Sequence, residues 1–212
     1  GGGVRVVLVW RRGRERGGGW GGGSSDAGAV MVGLNAALGL GLDGAALRRA
    51  SARLGSDVAY FIPEVCTMGE RLLAPPSPAI VTGFGDQIAP AARAEGALTL
   101  VLPEFGCATP DVYRAFDRLE PGVFRAGEVV GLADDPGRVV DGASVDGLLF
   151  NDLGAAAEAV EPRLGAVRRA IEASGRAVHM SGSGSTLFVL GGGAVEAPKG
   201  CALVRTRLVG GV

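Results

Sequence analysis

The chain has 212 residues, enough for one large domain or two small ones. Hydrophobic residues make up 47% and charged residues 20%, which predicts a buried core and excludes an intrinsically disordered chain. The net charge of −1 gives no overall field for nucleic acid or an acidic membrane, and no apolar run reaches the roughly 18 residues of a membrane span, so we expect neither partner.

The three cysteines, Cys66, Cys107 and Cys201, are odd in number and far apart. They form no CxxC pair, and the single histidine, His179, cannot complete a metal set with them. We therefore expect thiols in a reducing compartment, no metal site built by the protein, and a turn or core role for His179. The chain starts at Gly1 without the pattern of a signal peptide, so we expect a cytoplasmic protein, and the missing Met suggests a fragment or a trimmed start.

In chain order, a β-branched run at 4–10 predicts a strand. The glycine-rich stretch 17–25 follows and leads into an apolar helix, capped by Ser24 or Ser25. A glycine run before a helix directs unpaired N–H groups and the positive end of the helix dipole toward one point, which suits a phosphate chain. A flexible linker, or an arginine-glycine RNA-binding segment beginning at Arg11, is the alternative interpretation.

Asp43 is placed to cap a second helix. The apolar run 58–62 predicts a strand, and 63–78, with four prolines, predicts a loop or an insertion. Residues 79–86 predict a strand that ends in a glycine turn, and 88–96 has the alanine and proline content of a linker.

The second half contains a helix for which Thr109 is the predicted N-cap and Pro110 the first residue. Val112, Tyr113 and Phe116 are expected to form its buried face. The other predicted segments are a strand at 97–102, irregular chain at 120–143, helices at 148–160 and 163–174, and strands at 177–180, 186–190 and 202–206, with a glycine turn at 181–185.

Strands and helices are mixed without strict β-α-β-α alternation, which favours an α+β fold. Three motifs then stand out together: GGGWGGGSSDAG at 17–28, LGSDVAYF at 54–61 and MSGSGSTLF at 180–188. Their order and spacing resemble the GHMP kinase superfamily, and VTGFGD at 81–86 and FNDLG at 150–154 agree with it.

The resemblance implies the two-domain α+β fold of that superfamily. It places a truncated N-terminal, ATP-binding domain at 1–96 and the C-terminal domain at 97–212. It also implies ATP and Mg²⁺, as MgATP. The substrate that the resemblance implies is a small-molecule alcohol, a cytidine-diphosphate-linked methylerythritol. The oligomeric state is left open.

Carried over by position, the resemblance puts the catalytic aspartate on Asp57, where the carboxylate takes the proton from the substrate hydroxyl. The third motif closes over the phosphate region, and Asn151 and Asp152 have a structural part. The implied site residues are Gly17, Gly18, Gly19, Trp20, Gly21, Gly22, Gly23, Ser24 and Ser25 for ATP, and Gly182, Ser183 and Gly184 for the third-motif phosphate region.

One departure from the superfamily concerns lysine. The superfamily carries a catalytic lysine upstream of the glycine-rich stretch, whereas the only lysine here is Lys199. An arginine of 11–16 is a conceivable substitute, although Arg and Lys are not equivalent. Two alternatives stay open: an inactive nucleotide-binding remnant, and another GHMP-type kinase, such as one acting on homoserine or mevalonate.

Overall fold

The computed structural model describes residues 18–19, 21–64, 76–119, 126–134 and 149–208. The predicted strand at 4–10 lies outside these residues, as do Gly17 and Trp20 of the predicted ATP loop. The described chain forms two compact units. The first unit contains residues 21–91, and the second contains 92–208 together with Gly18 and Gly19.

The first unit begins with two α-helices, α1 (Gly22–Ala37) and α2 (Gly44–Ser51). Asp43 caps α2 as predicted, because its Oδ1 accepts a hydrogen bond from the backbone N–H of Ala46 at 2.7 Å. The predicted cap of α1 is wrong. Its N-cap is Gly21, so Ser24 and Ser25 lie inside the first turn.

The segment 58–62 is a 3₁₀-helix, Ala59–Phe61, and not the predicted strand. Backbone N–H groups of Phe61 and Ile62 donate to the carbonyls three residues earlier, each at 3.1 Å. Val58 and Ile62 are four residues apart, and both enter the small core formed with Val32 and Leu47. A short apolar run is compatible with the period of a helix and with that of a strand. Here the burial of Val58 and Ile62 on one face selects the helical period.

A β-hairpin completes the first unit. Strands β1 (Ala79–Thr82) and β2 (Gln87–Pro90) pair antiparallel, with Ala79 opposite Pro90 and Thr82 opposite Gln87. The strand and turn predicted at 79–86 are confirmed. The linker predicted at 88–96 is wrong at 88–90, because these residues belong to β2. Pro90 is compatible with β2 because it ends the strand.

In the second unit the described strands form a four-stranded antiparallel sheet. Across the sheet the order is β4 (His179–Met180), β5 (Leu187–Leu190), β3 (Gly96–Pro103) and β6 (Cys201–Leu208). The strand β3 pairs with β5 on one side and with β6 on the other. The combination of this sheet with helices confirms the α+β class.

The described helices of the second unit are α3 (Thr109–Arg118), α4 (Ala126–Asp134), α5 (Gly154–Val160) and α6 (Pro162–Glu172). The helix α4 corrects the irregular chain predicted at 120–143. The prediction of a helix from 148 is too early, because residues 149–151 are irregular and 152–153 form a turn before α5.

The core of the second unit lies between the sheet and helices α3, α5 and α6, where Val101, Val112 and Leu164 are fully buried. Two predictions for α3 need correction. Its N-cap is Ala108, so Thr109 is its first residue, and Tyr113 is 52% exposed while Ala115 takes the buried position. Among the described residues, no helix is long and apolar enough to cross a membrane.

Candidate functional site

The glycine-rich stretch ends as the N-terminus of α1. Gly21, the N-cap, has φ of 65° and ψ of 14°, a left-handed conformation that glycine adopts without strain. The backbone N–H groups of residues 22–24 have no acceptor within the α-helix, and the dipole places positive potential there. Gly22 and Gly23 are exposed at this end, so the N–H groups of this turn are open to an anion.

Two of the glycines in this region differ in what surrounds them. A Cβ on Gly21 would lie 3.0 Å from the Phe61 ring, a tight contact, and the left-handed backbone also disfavours a side chain there. Among the described residues, a Cβ on Gly22 would meet nothing within 4 Å, and its φ is not in the left-handed region. The described part of the fold therefore gives no reason for glycine at position 22. Close approach of a ligand to the backbone gives a reason for it.

Phe61 connects the glycine-rich stretch to the segment that carries Asp57. Its ring lies 3.0 Å from the position of a Cβ on Gly21, and its Cβ lies 3.1 Å from the position of a Cβ on Gly28. Phe61 belongs to the 3₁₀-helix that starts two residues after Asp57. A single aromatic side chain thus packs the second sequence motif onto the first turns of α1.

Asp57 itself is exposed, in a turn between α2 and the 3₁₀-helix. The hydroxyl of Ser56 donates a hydrogen bond to its Oδ1 at 3.0 Å. The next residue, Val58, is buried and anchors the turn to the core. The carboxylate is therefore held on a fixed backbone and is open to solvent, which a general base needs for access to a substrate hydroxyl.

The glycine turn of the β1–β2 hairpin packs against the same segment, a contact that the sequence did not predict. A Cβ on Gly85 would lie 1.6 Å from the carbonyl oxygen of Ser56. Asp86 holds the turn in place, because its Oδ1 accepts from the backbone N–H of Phe84 at 3.0 Å. The glycines of VTGFGD were the available signal for such a close backbone approach.

In the second unit, Gly19 lies against the third sequence motif. The hydroxyl of Ser181 donates to the carbonyl of Gly19 at 2.8 Å, and a Cβ on Gly19 would be 2.1 Å from the carbonyl oxygen of Ser181. Gly182 is also close, since a Cβ on it would lie 3.1 Å from the Gly19 carbonyl oxygen. The structure therefore brings the start of the glycine-rich stretch and the SGSGS turn together.

The three predicted residues of this turn have different environments. Gly182 is exposed, whereas Ser183 and Gly184 are buried. The Ser183 hydroxyl is 2.8 Å from that of Thr109, and a Cβ on Gly184 would lie 3.2 Å from the sulfur of Cys107. Burial, and next the Glu161 carboxylate, raise the pKa of the Cys107 thiol. Of the three, Gly182 offers its backbone to solvent, and the other two support the turn.

Other chemistry-bearing side chains lie away from these contacts. His179 is half-buried on β4, with its ring 5.4 Å from that of Phe188. Lys199 is exposed in the turn before β6. Across the part of the chain that the structure describes, no group of three or more His, Cys, Asp or Glu side chains is arranged to hold a metal ion.

Comparisons with known proteins agree with this arrangement. Residues 4–64 match the model of the GHMP kinases N terminal domain. A solved structure of 4-(cytidine 5'-diphospho)-2C-methyl-D-erythritol kinase superposes with a TM-score of 0.62 and 28% sequence identity, over 94% of this chain and 69% of that one.

Sequence relatives bear the same name. The 4-diphosphocytidyl-2-C-methyl-D-erythritol kinase of Pseudarthrobacter chlorophenolicus is 34% identical over 186 residues, 85% of this chain and 54% of that protein. The kinase of that name from Salinispora tropica is 35% identical over 188 residues, 86% of this chain and 56% of that protein. The chain thus spans about half the length of these curated relatives.

The fold, the glycine turns and these matches show that the chain belongs to the GHMP kinase superfamily. Within the superfamily, its relatives are the 4-diphosphocytidyl-2-C-methyl-D-erythritol kinases.

Proposed function

We propose that this chain acts as a cytoplasmic small-molecule kinase. It transfers the γ-phosphoryl group of ATP to the 2-hydroxyl of 4-diphosphocytidyl-2-C-methyl-D-erythritol, giving the 2-phosphate and ADP in non-mevalonate isoprenoid biosynthesis. The observation that carries the proposal is the packing of Phe61 across Gly21 and Gly28. It joins a helix N-terminus suited to phosphate with the segment that bears an exposed carboxylate.

In this proposal the backbone of 17–25 binds the ATP phosphates. The open space beside Gly22 and the exposed Gly23 support that role, because a phosphate chain needs backbone N–H groups without side chains in the way. Ser24 and Ser25 add hydroxyls in the first turn of α1. Gly182, Ser183 and Gly184 belong to the same proposal as its third-motif phosphate region, and the neighbouring Ser181 hydroxyl donates to the carbonyl of Gly19.

ATP supplies the phosphoryl group, with Mg²⁺ neutralising part of its charge. Mg²⁺ is commonly held by one or two protein oxygens together with substrate phosphates and water. The hydroxyls of the α1 turn and a single carboxylate are oxygen ligands of that kind. They fit a metal ion that arrives bound to ATP better than one held by a protein cage.

Asp57 is the proposed general base. Its exposed carboxylate accepts the proton of the substrate hydroxyl as the oxygen attacks phosphorus. The Ser56 hydroxyl, 3.0 Å from Oδ1, orients the carboxylate and leaves its other oxygen for the substrate. Most of the remaining catalysis in phosphoryl transfer is positioning and charge stabilisation, which the glycine turns provide.

The domain assignment is part of the proposal. We assign 1–96 to the N-terminal, ATP-binding domain of a GHMP kinase and 97–212 to its C-terminal domain. The name of the relatives supports the cytidyl substrate over homoserine or mevalonate.

The decisive experiment compares the chain with its Asp57→Asn variant. With MgATP and the cytidyl substrate, ADP release by the variant should fall about a hundredfold or more, because the base is lost. The variant's dissociation constant for ATP should be unchanged. Asp117→Asn, which changes an exposed carboxylate on α3, is the matched control and should keep full activity. Equal turnover in Asp57→Asn and the control would rule out Asp57 as the base.

A second function, nucleotide binding without turnover, is favoured by one observation. The only lysine of the chain is Lys199, exposed beside β6, whereas phosphoryl transfer commonly uses a lysine at the phosphates. The same assay separates the two functions. ATP binding with no ADP release from the unmodified chain would establish the second one.

A further inference from the structure

Asn151, in the turn before α5, reaches the backbone of a glycine turn far away in sequence. Its Nδ2 donates to the carbonyl oxygens of Met180, at 2.9 Å, and of Gly182, at 2.8 Å. Its Oδ1 accepts from the backbone N–H of Leu153 at 3.0 Å. Both amide hydrogens and the amide oxygen are therefore engaged, which fixes the orientation of the side chain.

The two carbonyls that Asn151 holds lie on either side of Ser181. The Ser181 hydroxyl donates to the carbonyl of Gly19, 162 residues earlier in the chain. Backbone bonds from Ser181 to Thr186 and from Gly184 to Ser181, both 3.0 Å, close the turn itself. Asn151 thus fixes one side of the turn, and the other side meets the glycine-rich stretch.

The chemistry of this contact requires a donor. Both partners of Nδ2 are carbonyl oxygens, so an oxygen at that position would oppose two acceptors with no hydrogen between them. Asparagine and aspartate have nearly the same shape, and both retain an acceptor for the N–H of Leu153. The exchange of Asn151 for Asp therefore removes the two bonds to the turn and leaves the local bond in place.

We propose that Asn151 is a positioning residue of the nucleotide site. It does not touch substrate. It holds the backbone of Met180 and Gly182 so that Ser181 binds Gly19, and through that contact it fixes the start of the phosphate-binding stretch. This inference rests on the proposed function, because it assigns the stretch to ATP.

The test compares Asn151→Asp with Asp152→Asn, a matched control at the exposed neighbouring residue. For Asn151→Asp we expect the dissociation constant for ATP and the KM for MgATP to rise about tenfold or more, with the KM for the cytidyl substrate unchanged. The urea midpoint of each variant is measured alongside. A purely structural role would lower that midpoint without changing the ratio of the KM for MgATP to the KM for the cytidyl substrate.

Ser181→Ala is the second variant, because it removes only the hydroxyl bond to Gly19 and is expected to weaken ATP binding in the same direction. Unchanged ATP affinity in either Asn151→Asp or Ser181→Ala would overturn the proposal. Hydrogen exchange of the Ser181 and Gly184 amides tests whether Asn151 holds the turn. Exchange in Asn151→Asp that is as slow as in the unmodified chain would refute that role. If exchange is faster in Asn151→Asp but the unmodified chain binds no ATP, the proposed function is rejected and Asn151 remains the residue that fixes the turn.

Discussion

At the scale of single residues, the glycines before and within α1 have separate reasons for being glycine. Gly21 needs a left-handed backbone beside the Phe61 ring, and Gly28 lies against Phe61 inside the helix. Gly22 has neither constraint. The same residue type therefore serves the fold at two of these positions and, in the proposed function, the ligand at the third.

Replacing Gly22 by Val tests that distinction. The side chain would enter open space and leave the fold intact, while its methyl groups would keep phosphate oxygens away from the backbone. We expect the affinity for ATP to fall at least about tenfold, or about 1.4 kcal/mol, by calorimetric titration.

Gly33→Val is the matched control for this prediction. Gly33 is also exposed in α1, and a Cβ there would also meet nothing within 4 Å. The control should bind ATP as the unmodified chain does. A folded Gly22→Val protein with the affinity of the control would contradict the phosphate-binding role of this turn.

At the scale of the secondary-structure elements, the stability of α2 depends on its N-cap. The Asp43 carboxylate accepts from Ala46 at 2.7 Å, and this bond satisfies one of the free N–H groups at the start of the helix. Asp43→Ala should lower the free energy of unfolding of the first unit by about 1 kcal/mol. The measurement is the urea dependence of amide exchange in α2.

Asp117→Ala is the control for the cap. Asp117 lies near the C-terminus of α3, where a carboxylate is unfavourable to the helix dipole, so its removal should be neutral or slightly stabilising. Equal losses of stability in the two variants would show that the Asp43 bond contributes nothing specific.

The elements also show how far sequence patterns can be read. A side-chain cap such as Asp43 has a local signal, and it was predicted correctly. The five apolar residues 58–62 fit both the helical and the strand period, so their pattern predicts a strand where the structure has the 3₁₀-helix Ala59–Phe61. Only packing against Val32 and Leu47 selects the helical period. The cap of α1 was missed because Gly21 has no side chain to show it.

For the candidate site, the sequence predicted the segments and could not predict their contacts. The motifs containing Asp57 and the SGSGS turn stand out in the sequence through their resemblance to the GHMP kinase superfamily. The bonds from Asn151 to Gly182 and from Ser181 to Gly19 span 31 and 162 residues, and no local pattern encodes pairings of that length. The packing of Gly85 on Ser56 is of the same kind.

At the scale of the whole molecule, each unit has its own core, and the core of the second unit contains a titratable group. Cys107 is 1% exposed, and burial, followed by the Glu161 carboxylate, raises its pKa above the ordinary value of 9.0. In the unfolded chain the thiol ionises at its ordinary pKa, so the folded state retains the proton when the unfolded state has lost it. By linkage, stability is full below pH 9 and falls as the pH rises past it.

The prediction is a lower urea midpoint for the second unit at about pH 10 than at about pH 8. Alkylation of Cys107, located by peptide mass analysis, reports the opening of this unit specifically. Burial also raises the pKa of Cys201, which lies in the same unit and adds to the effect in the same direction. A midpoint that stays constant or rises with pH would contradict the prediction.

The contact of Phe61 with Gly21 and Gly28 has a consequence for how this protein could change during evolution or engineering. Phe61 fills the gap between the Asp57 segment and α1. A Cβ on Gly21 would lie 3.0 Å from Phe61, and a Cβ on Gly28 would lie 3.1 Å from it. A methyl group added at Gly21 or Gly28 therefore requires a smaller side chain at 61, and the free-energy effects of the two changes will not be additive. Position 61 acts as a spacer between the Asp57 segment and the start of α1, so positions 21, 28 and 61 have to vary together.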